Sequence, residues 1–142
     1  MHLIDINIWL ALVFEAHQHH PRALRWFDLA EPGACIMCRV VQSGFLRLAT
    51  NPSVFGDEAV TMSQAWMLYD ALLADERIHY LLEPQGLEAT WRSYTEGQTY
   101  SPKVWSDAYL AAFAKTAGFN LVSFDKGFRK FNDLKVIIPE QA

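Results

Sequence analysis

Five short apolar runs, at residues 2–6, 33–37, 78–82, 120–124 and 135–138, alternate along the chain with stretches whose apolar residues recur at helical spacing. Runs of Val, Ile and Leu too short to be helices read as strands covered on both faces, and strands separated by helices pair in parallel through right-handed crossovers. The alternation predicts an α/β protein of three layers, α/β/α, around a central, mainly parallel sheet of four to five strands. With 142 residues and neither repeat nor linker, the chain is expected to be a single domain over 1–142. Helices are expected over 8–15, 21–30, 61–73, 86–96 and 103–115, with a further helical face formed by Val40, Val41, Phe45, Leu46 and Leu48. Their ends carry recognisable chemistry. Asn7 can cap the first helix, Thr61 and Gln64 can form a capping box, Ser101-Pro102 suits an N-cap followed by a first helical position, and Gly118 suits a C-cap.

Within the first run stands one carboxylate, Asp5. An ionised acid in a strand buried on both sides costs several kcal/mol unless a proton, a partner or a cation compensates it. A place at the strand's end resolves the conflict, because open α/β sheets bind ligands in the crevice outside the carboxyl ends of their strands. The plainer alternative is that Asp5 only hydrogen-bonds backbone at a strand–helix junction.

Composition narrows the classes. The chain is 51% hydrophobic and 20% charged, which argues against disorder, and no stretch approaches the roughly 20 uninterrupted apolar residues of a membrane helix. Asp5, Asn7 and Glu15 break the apolar N-terminus, which has no basic leader, so a cytoplasmic protein without membrane attachment is expected. Cys35 and Cys38 form a lone C-x-x-C. A zinc ribbon needs a second pair; a redox dithiol requires a strand leading into a helix here, and small buried thiols are the commoner outcome. His17, His19 and His20 precede Pro21 in what reads as a solvated loop. The exposed or buried fate of Trp9, Trp26, Met62, Trp66, Met67, Trp91 and Trp105 divides between core and a dimer surface. A net charge of −4 means that any polyanion must be gripped locally, and Lys126, Arg129 and Lys130, with Lys103 and Arg47, are the candidates for holding nucleic-acid phosphates.

Two more acids stand as Asp5 does. Asp107 falls in the first turns of the helix expected over 103–115, and Asp125 directly follows the strand ending at Phe124. In a parallel sheet Asp5 and Asp125 emerge at the same edge, and the helix returning to the later strand brings Asp107 over the same crevice. Like charges about 4 Å apart repel by about 4 kcal/mol per pair at an effective dielectric of about 20. A divalent cation removes that penalty, and an all-oxygen set without Cys or His suits Mg²⁺, with Mn²⁺ as a substitute. Such an ion lowers the pKa of a bound water and stabilises charge on a phosphoryl oxygen. Taken singly, Asp107 can merely complement a helix dipole and Asp125 can merely start a turn.

Four segments carry a resemblance: Leu3-Ile-Asp-Ile-Asn-Ile-Trp-Leu10, Val41-Gln-Ser-Gly-Phe-Leu-Arg-Leu48, Trp105-Ser-Asp-Ala-Tyr-Leu-Ala-Ala112 and Leu121-Val-Ser-Phe-Asp-Lys-Gly-Phe128. In this order and spacing, and over nearly the whole chain, the sequence resembles the PIN-domain ribonucleases of the VapC toxin type. The resemblance implies a PIN-like fold and a Mg²⁺-dependent endoribonuclease that cuts RNA, often a transfer or ribosomal RNA, and stops translation until a cognate antitoxin protein blocks it; a homodimer is expected. It places Asp5, Asp107 and Asp125 on the family's metal-binding acids, Asn7 on a polar position that orders the site, and Ser123 on the small hydroxyl residue beside the last acid. One position departs. Where many members carry Glu on the middle helix, this chain has Gln42, as does a branch of the family with Gln-x-Gly-Phe-x-Arg. The exchange removes a negative charge and favours one ion over two, although the Gln42 carbonyl oxygen can still accept a hydrogen bond from metal-bound water.

Other classes compete with a nuclease. A phosphatase with an Asp nucleophile would also use an acid ending the first strand, but wants a second acid two residues on, where this chain has Asn7. A binding protein that keeps the fold and, with Gln42, has lost its metal is the non-enzymatic alternative.

Overall fold

The computed structural model describes residues 1–140. Strands β1 (His2–Ile4), β2 (Cys35–Met37), β3 (Ile78–Tyr80), β4 (Asn120–Val122) and β5 (Val136–Ile137) form one sheet in the order β3-β2-β1-β4-β5, every neighbouring pair parallel. Helices α1 (Ile6–Val13) and α2 (His20–Asp28) connect β1 to β2. The helices α3 (Arg39–Ala49), α4 (Pro52–Phe55) and α5 (Met62–Ala74) lead to β3, and α6 (Leu87–Thr95) and α7 (Val104–Ala117) cross to β4. A 3₁₀ turn, Lys126–Lys130, joins β4 to β5. Helices α1, α3 and α5 pack successively on one another, while α7 packs on β1 and β4 with α6 paired against it to make the other layer. The three-layer α/β/α arrangement expected from the alternation is therefore present, with five parallel strands.

Burial explains the strand composition. Leu3, Ile4, Ile36, Leu121 and Val122 in the central strands are fully buried, whereas His79 on the edge strand β3 is exposed. Trp9 is enclosed on α1 and its indole N–H donates to the Ile4 carbonyl at 3.1 Å, locking the first helix onto the strand before it. Gly44 marks where α1 and α3 cross: a Cβ there would stand 2.2 Å from Ile6 Cδ1.

Two expected caps fall elsewhere. Because β1 stops at Ile4, the strand–helix junction lands on Asp5, and Asp5 rather than Asn7 caps α1, its Oδ1 accepting the Ile6 N–H at 2.7 Å. Helix α7 starts at Val104, beyond Ser101 and Pro102, with Lys103 at the cap position and no side-chain cap bond. The Thr61–Gln64 capping box and the left-handed Gly118 C-cap form as expected. A single-turn helix, Pro52–Phe55, and the 3₁₀ turn Gly56–Glu58 extend a region where no element was expected.

Candidate active site

The strand order places a topological switch point between β1 and β4: the chain winds from β1 outward to β3, then crosses back to β4. Crossovers leave the sheet in opposite directions there, which opens a crevice at the carboxyl ends of these two strands. Asp5 is the residue after β1 and Asp125 lies three residues after β4, so both expected acids stand at that edge. Asp107 is in the first turn of α7, which packs across β1 and β4.

Ser123 ties these parts together. Fully buried, it donates to Asp5 Oδ2 at 2.7 Å and accepts from the Asn7 amide at 3.1 Å and from the Asp125 backbone N–H at 2.9 Å. Asn7 Oδ1 in turn accepts the Phe124 N–H at 3.3 Å. Asp125 caps the following turn by accepting the Gly127 N–H at 2.8 Å. These bonds fix the direction of two carboxylates that belong to strands adjacent in space and distant in sequence.

Burial and the neighbouring charges shift all three acids. Asp5 is 9% exposed, and burial, assisted by the Asp107 charge, pushes its carboxyl above the usual range against the pull of Ser123 and the Ile6 N–H. Asp107 is raised for the same leading reason, burial, with Asp125 adding repulsion. Asp125 is lowered, chiefly by its hydrogen bond from Lys103. The Lys103 ammonium contacts Asp125 Oδ2 and lies 3.6 Å from Asp107 Oδ2, so a positive group already stands between two of the acids. Among the described residues no three His, Cys, Asp or Glu side chains are arranged as a ready-made ligand set. The crowding expected of the three carboxylates is thus relieved in this arrangement by a lysine. The donors nonetheless fit a hard divalent ion: three carboxylates, no competing sulfur or imidazole, and a lysine ammonium bridging two of them.

Other expected residues are distributed unevenly. Lys126, Arg129 and Lys130 are exposed on the turn anchored by buried Phe128, and the Lys130 charge acts on both Asp107 and Asp125. Arg47 is in the last turn of α3, about 12 Å along the axis from that helix's start. Gln42 is 5% exposed and its Oε1 accepts from Arg39 Nη1 at 2.6 Å. That carbonyl, expected to be free for a metal-bound water, is committed to a guanidinium that also lies 5.3 Å from the Tyr80 ring. Arg39 was not among the residues picked from the sequence; its i,i+3 spacing from Gln42 is the signal that points to it.

Two further expectations resolve here. The histidines are not simply solvated: His20 Nδ1 is 2.7 Å from the Ala11 carbonyl, and the His19 ring stacks at a tilt 4.8 Å from Phe124. Cys35 and Cys38 are free and buried, in β2 and at the start of α3, and burial pushes the Cys35 thiol up to about 12.

Comparison with known proteins agrees with this architecture. The family model described as PIN domain matches residues 2–134. A protein named Ribonuclease VapC41 from Mycobacterium tuberculosis is 45% identical over 141 residues, covering 96% of this chain and 97% of its own length. Ribonuclease VapC38 from the same organism is 30% identical over 127 residues, covering 89% and 86%. Among solved structures, VapBC2 from Rickettsia felis, bound to a promoter DNA fragment, shares the fold with a TM-score of 0.73 at 12% identity over 98% of both chains. Mycobacterium tuberculosis VapC20, described as a Sarcin-Ricin loop cleaving toxin, gives 0.66 at 18% identity, covering 94% and 98%.

Proposed function

The chain belongs to the PIN-domain family, and on that footing we propose that it is an endoribonuclease toxin of the VapC type, a single catalytic unit over 1–142 that cuts RNA phosphodiester bonds and thereby arrests translation. The observation that carries this reading is that Asp107 and Asp125 meet on the Lys103 ammonium while Asp5, tied to Asp125 through Ser123, feels the charges of both Asp107 and Lys103 at the same crevice. Asp5, Asp107 and Asp125 would hold Mg²⁺, or Mn²⁺ in its place. When bound, such an ion supplies a water activated for attack and neutralises charge developing on the phosphoryl oxygen.

The chain's own groups do the rest. Ser123 keeps Asp5 oriented at the crevice by donating to its Oδ2, and Asn7 keeps Ser123 in that role by donating to the hydroxyl. Lys126, Arg129 and Lys130 border the acids and offer phosphate contacts on the β4 side. Arg39, held by Gln42 and Tyr80, offers another on the β2 side. The substrate is RNA, with transfer or ribosomal RNA the classes to test first. The acidic protein grips it through these local groups rather than through its net charge of −4.

The partner is an antitoxin protein, a reading supported by the VapBC complexes that share the fold. A homodimer in the cytoplasm is also proposed. Met62, Trp66 and Met67 on α5 are 75%, 50% and 70% exposed, an apolar face suited to a second copy. Among the described residues no helix is long and apolar enough to cross a membrane.

One observation favours a second reading, a catalytically weak binding protein: the position of the missing acid is held by Gln42 with its carbonyl taken by Arg39. Incubating the protein with total cellular RNA and Mg²⁺, then sequencing new ends, separates the two. Discrete new ends that vanish with Asp125→Asn support the nuclease. RNA that is bound yet uncut supports the weaker reading, and undiminished cutting by Asp125→Asn removes the proposed site.

A further inference from the structure

Without a divalent ion, the crevice is still not an open cluster of negative charge. Lys103 is the residue just before α7, and its side chain folds back over the first turn so that one ammonium touches Asp125 and lies 3.6 Å from Asp107, four residues along the same helix. The two acids it joins come from different elements, one from α7 and one from the segment after β4. Lys103 therefore does between these elements what a metal ion would do. Three carboxylates and one ammonium leave a formal charge of −2 in the pocket, which one divalent cation balances.

We propose that Lys103 is a built-in competitor for the divalent cation, bridging Asp107 and Asp125 until the ion arrives and swinging off Asp125 when it binds. The inference rests on the reading of Asp5, Asp107 and Asp125 as a metal site. Its physical basis is that one Asp125 oxygen cannot serve both a lysine contact and a metal ligand at full strength. The bridge is also built to open. The Lys103 side chain is 64% exposed, and a solvent-screened lysine pair costs side-chain entropy and holds weakly. A bidentate arginine at the same place would be far harder to dislodge. Once released, the ammonium remains tethered at the mouth of the pocket, where a point charge suits a phosphate oxygen of the substrate. Lys103 is then a positioning residue with two stations, one on the carboxylates and one on the RNA.

Calorimetric titration of Mn²⁺ into wild type, Lys103→Met and Lys130→Met tests this without RNA. Lys130 is the control, because its charge acts on Asp107 and Asp125 from the neighbouring turn. Lys103→Met is expected to bind Mn²⁺ about three- to fivefold more tightly than wild type, the fold-change that a screened surface ion pair represents. Lys130→Met is expected to change affinity by less. Equal or weaker binding by Lys103→Met overturns the proposal, and so does a gain by Lys130→Met as large as that of Lys103→Met. In wild type, the Lys103 side-chain NMR signal, assigned by through-bond correlation to its own backbone amide, should move on saturation with diamagnetic Mg²⁺; a signal that stays in place overturns the proposal even if the variant does not fold. A wild-type chain that binds no Mn²⁺ at all overturns the metal site itself, and is distinguished from failure of the lysine's role alone.

Discussion

The Ser123 hydroxyl donates to Asp5 Oδ2 at 2.7 Å, joining the ends of two strands that lie side by side and 118 residues apart in the chain. That bond turns a buried carboxylate into a directed one, and its removal should be costly in two ways.

Ser123→Ala leaves a buried Asp5 oxygen, the Asn7 amide and the Asp125 N–H without their shared partner. Leaving buried polar groups unpaired costs about 1–3 kcal/mol, so urea denaturation of the metal-free variant should show a loss in that range. Residues that orient metal ligands typically change affinity or activity by about 10- to 100-fold, and RNA cleavage by Ser123→Ala should fall by that factor.

Asp5→Asn keeps the volume of the junction and can still accept the Ile6 N–H, but it removes a buried charge and turns an amide N–H₂ toward the Ser123 hydroxyl, which already accepts from Asn7 and Asp125. Loss of the Ser123 bond offsets relief of the buried charge, so the metal-free variant should melt at or below the wild-type temperature and bind Mn²⁺ far more weakly. The pH dependence has a definite sign. Burial raises the folded Asp5 pKa, so the folded chain holds that proton more tightly than the unfolded one. Wild type should therefore gain stability relative to Asp5→Asn as pH falls through the raised folded value, levelling off below the unfolded value of about 3.9.

Asp75 and Arg77 offer the opposite sign. Arg77 makes paired bonds to Asp75 at 2.9 and 2.7 Å, donates to the Phe27 carbonyl and stacks 3.8 Å from the Phe27 ring, fastening the entry of β3 to the end of α2. The guanidinium lowers the Asp75 pKa, so its contribution is present above about pH 4 and is lost as pH falls through the folded value. Arg77→Ala should cost about 1–3 kcal/mol by urea denaturation at neutral pH, with the difference from wild type narrowing on acidification.

Buried, raised thiols are inert. Cys35 and Cys38 should resist a disulfide-exchange reagent in the folded protein and react fully only after denaturation, by absorbance titration. Prompt reaction of either thiol in the folded chain would restore the redox alternative.

Much of this architecture was legible in the sequence because the signals were short-range. Each apolar run contains a strand, since burial on both faces demands such runs wherever a parallel strand lies. The strands are shorter than the runs because pairing ends where the chain must turn into a helix. This is why Asp5 became the cap and Asn7 a partner of Ser123. Pro52–Phe55 escaped notice because Asn51-Pro52 reads equally as a helix stop and as the start of a single turn. The acids were found through their positions after strands and at a helix start. The Lys103 bridge and the Arg39–Gln42 pair lay outside that logic: both depend on side-chain directions set by packing, and charge patterning alone reads such residues as solvated.

The Gln42–Arg39 pair has a consequence for stoichiometry. With a guanidinium on the position where an acid would help hold a second ion, calorimetry with Mn²⁺ should give one ion per chain, and two would show that other donors complete a second site.

The most direct test of the shared pocket is an anomalous-scattering map from crystals of this protein soaked in Mn²⁺. A single peak in contact with the carboxylates of Asp5, Asp107 and Asp125, with Lys103 turned away from Asp125, is the expected result. A peak on other residues, or saturating Mn²⁺ that leaves these three acids untouched, would contradict it.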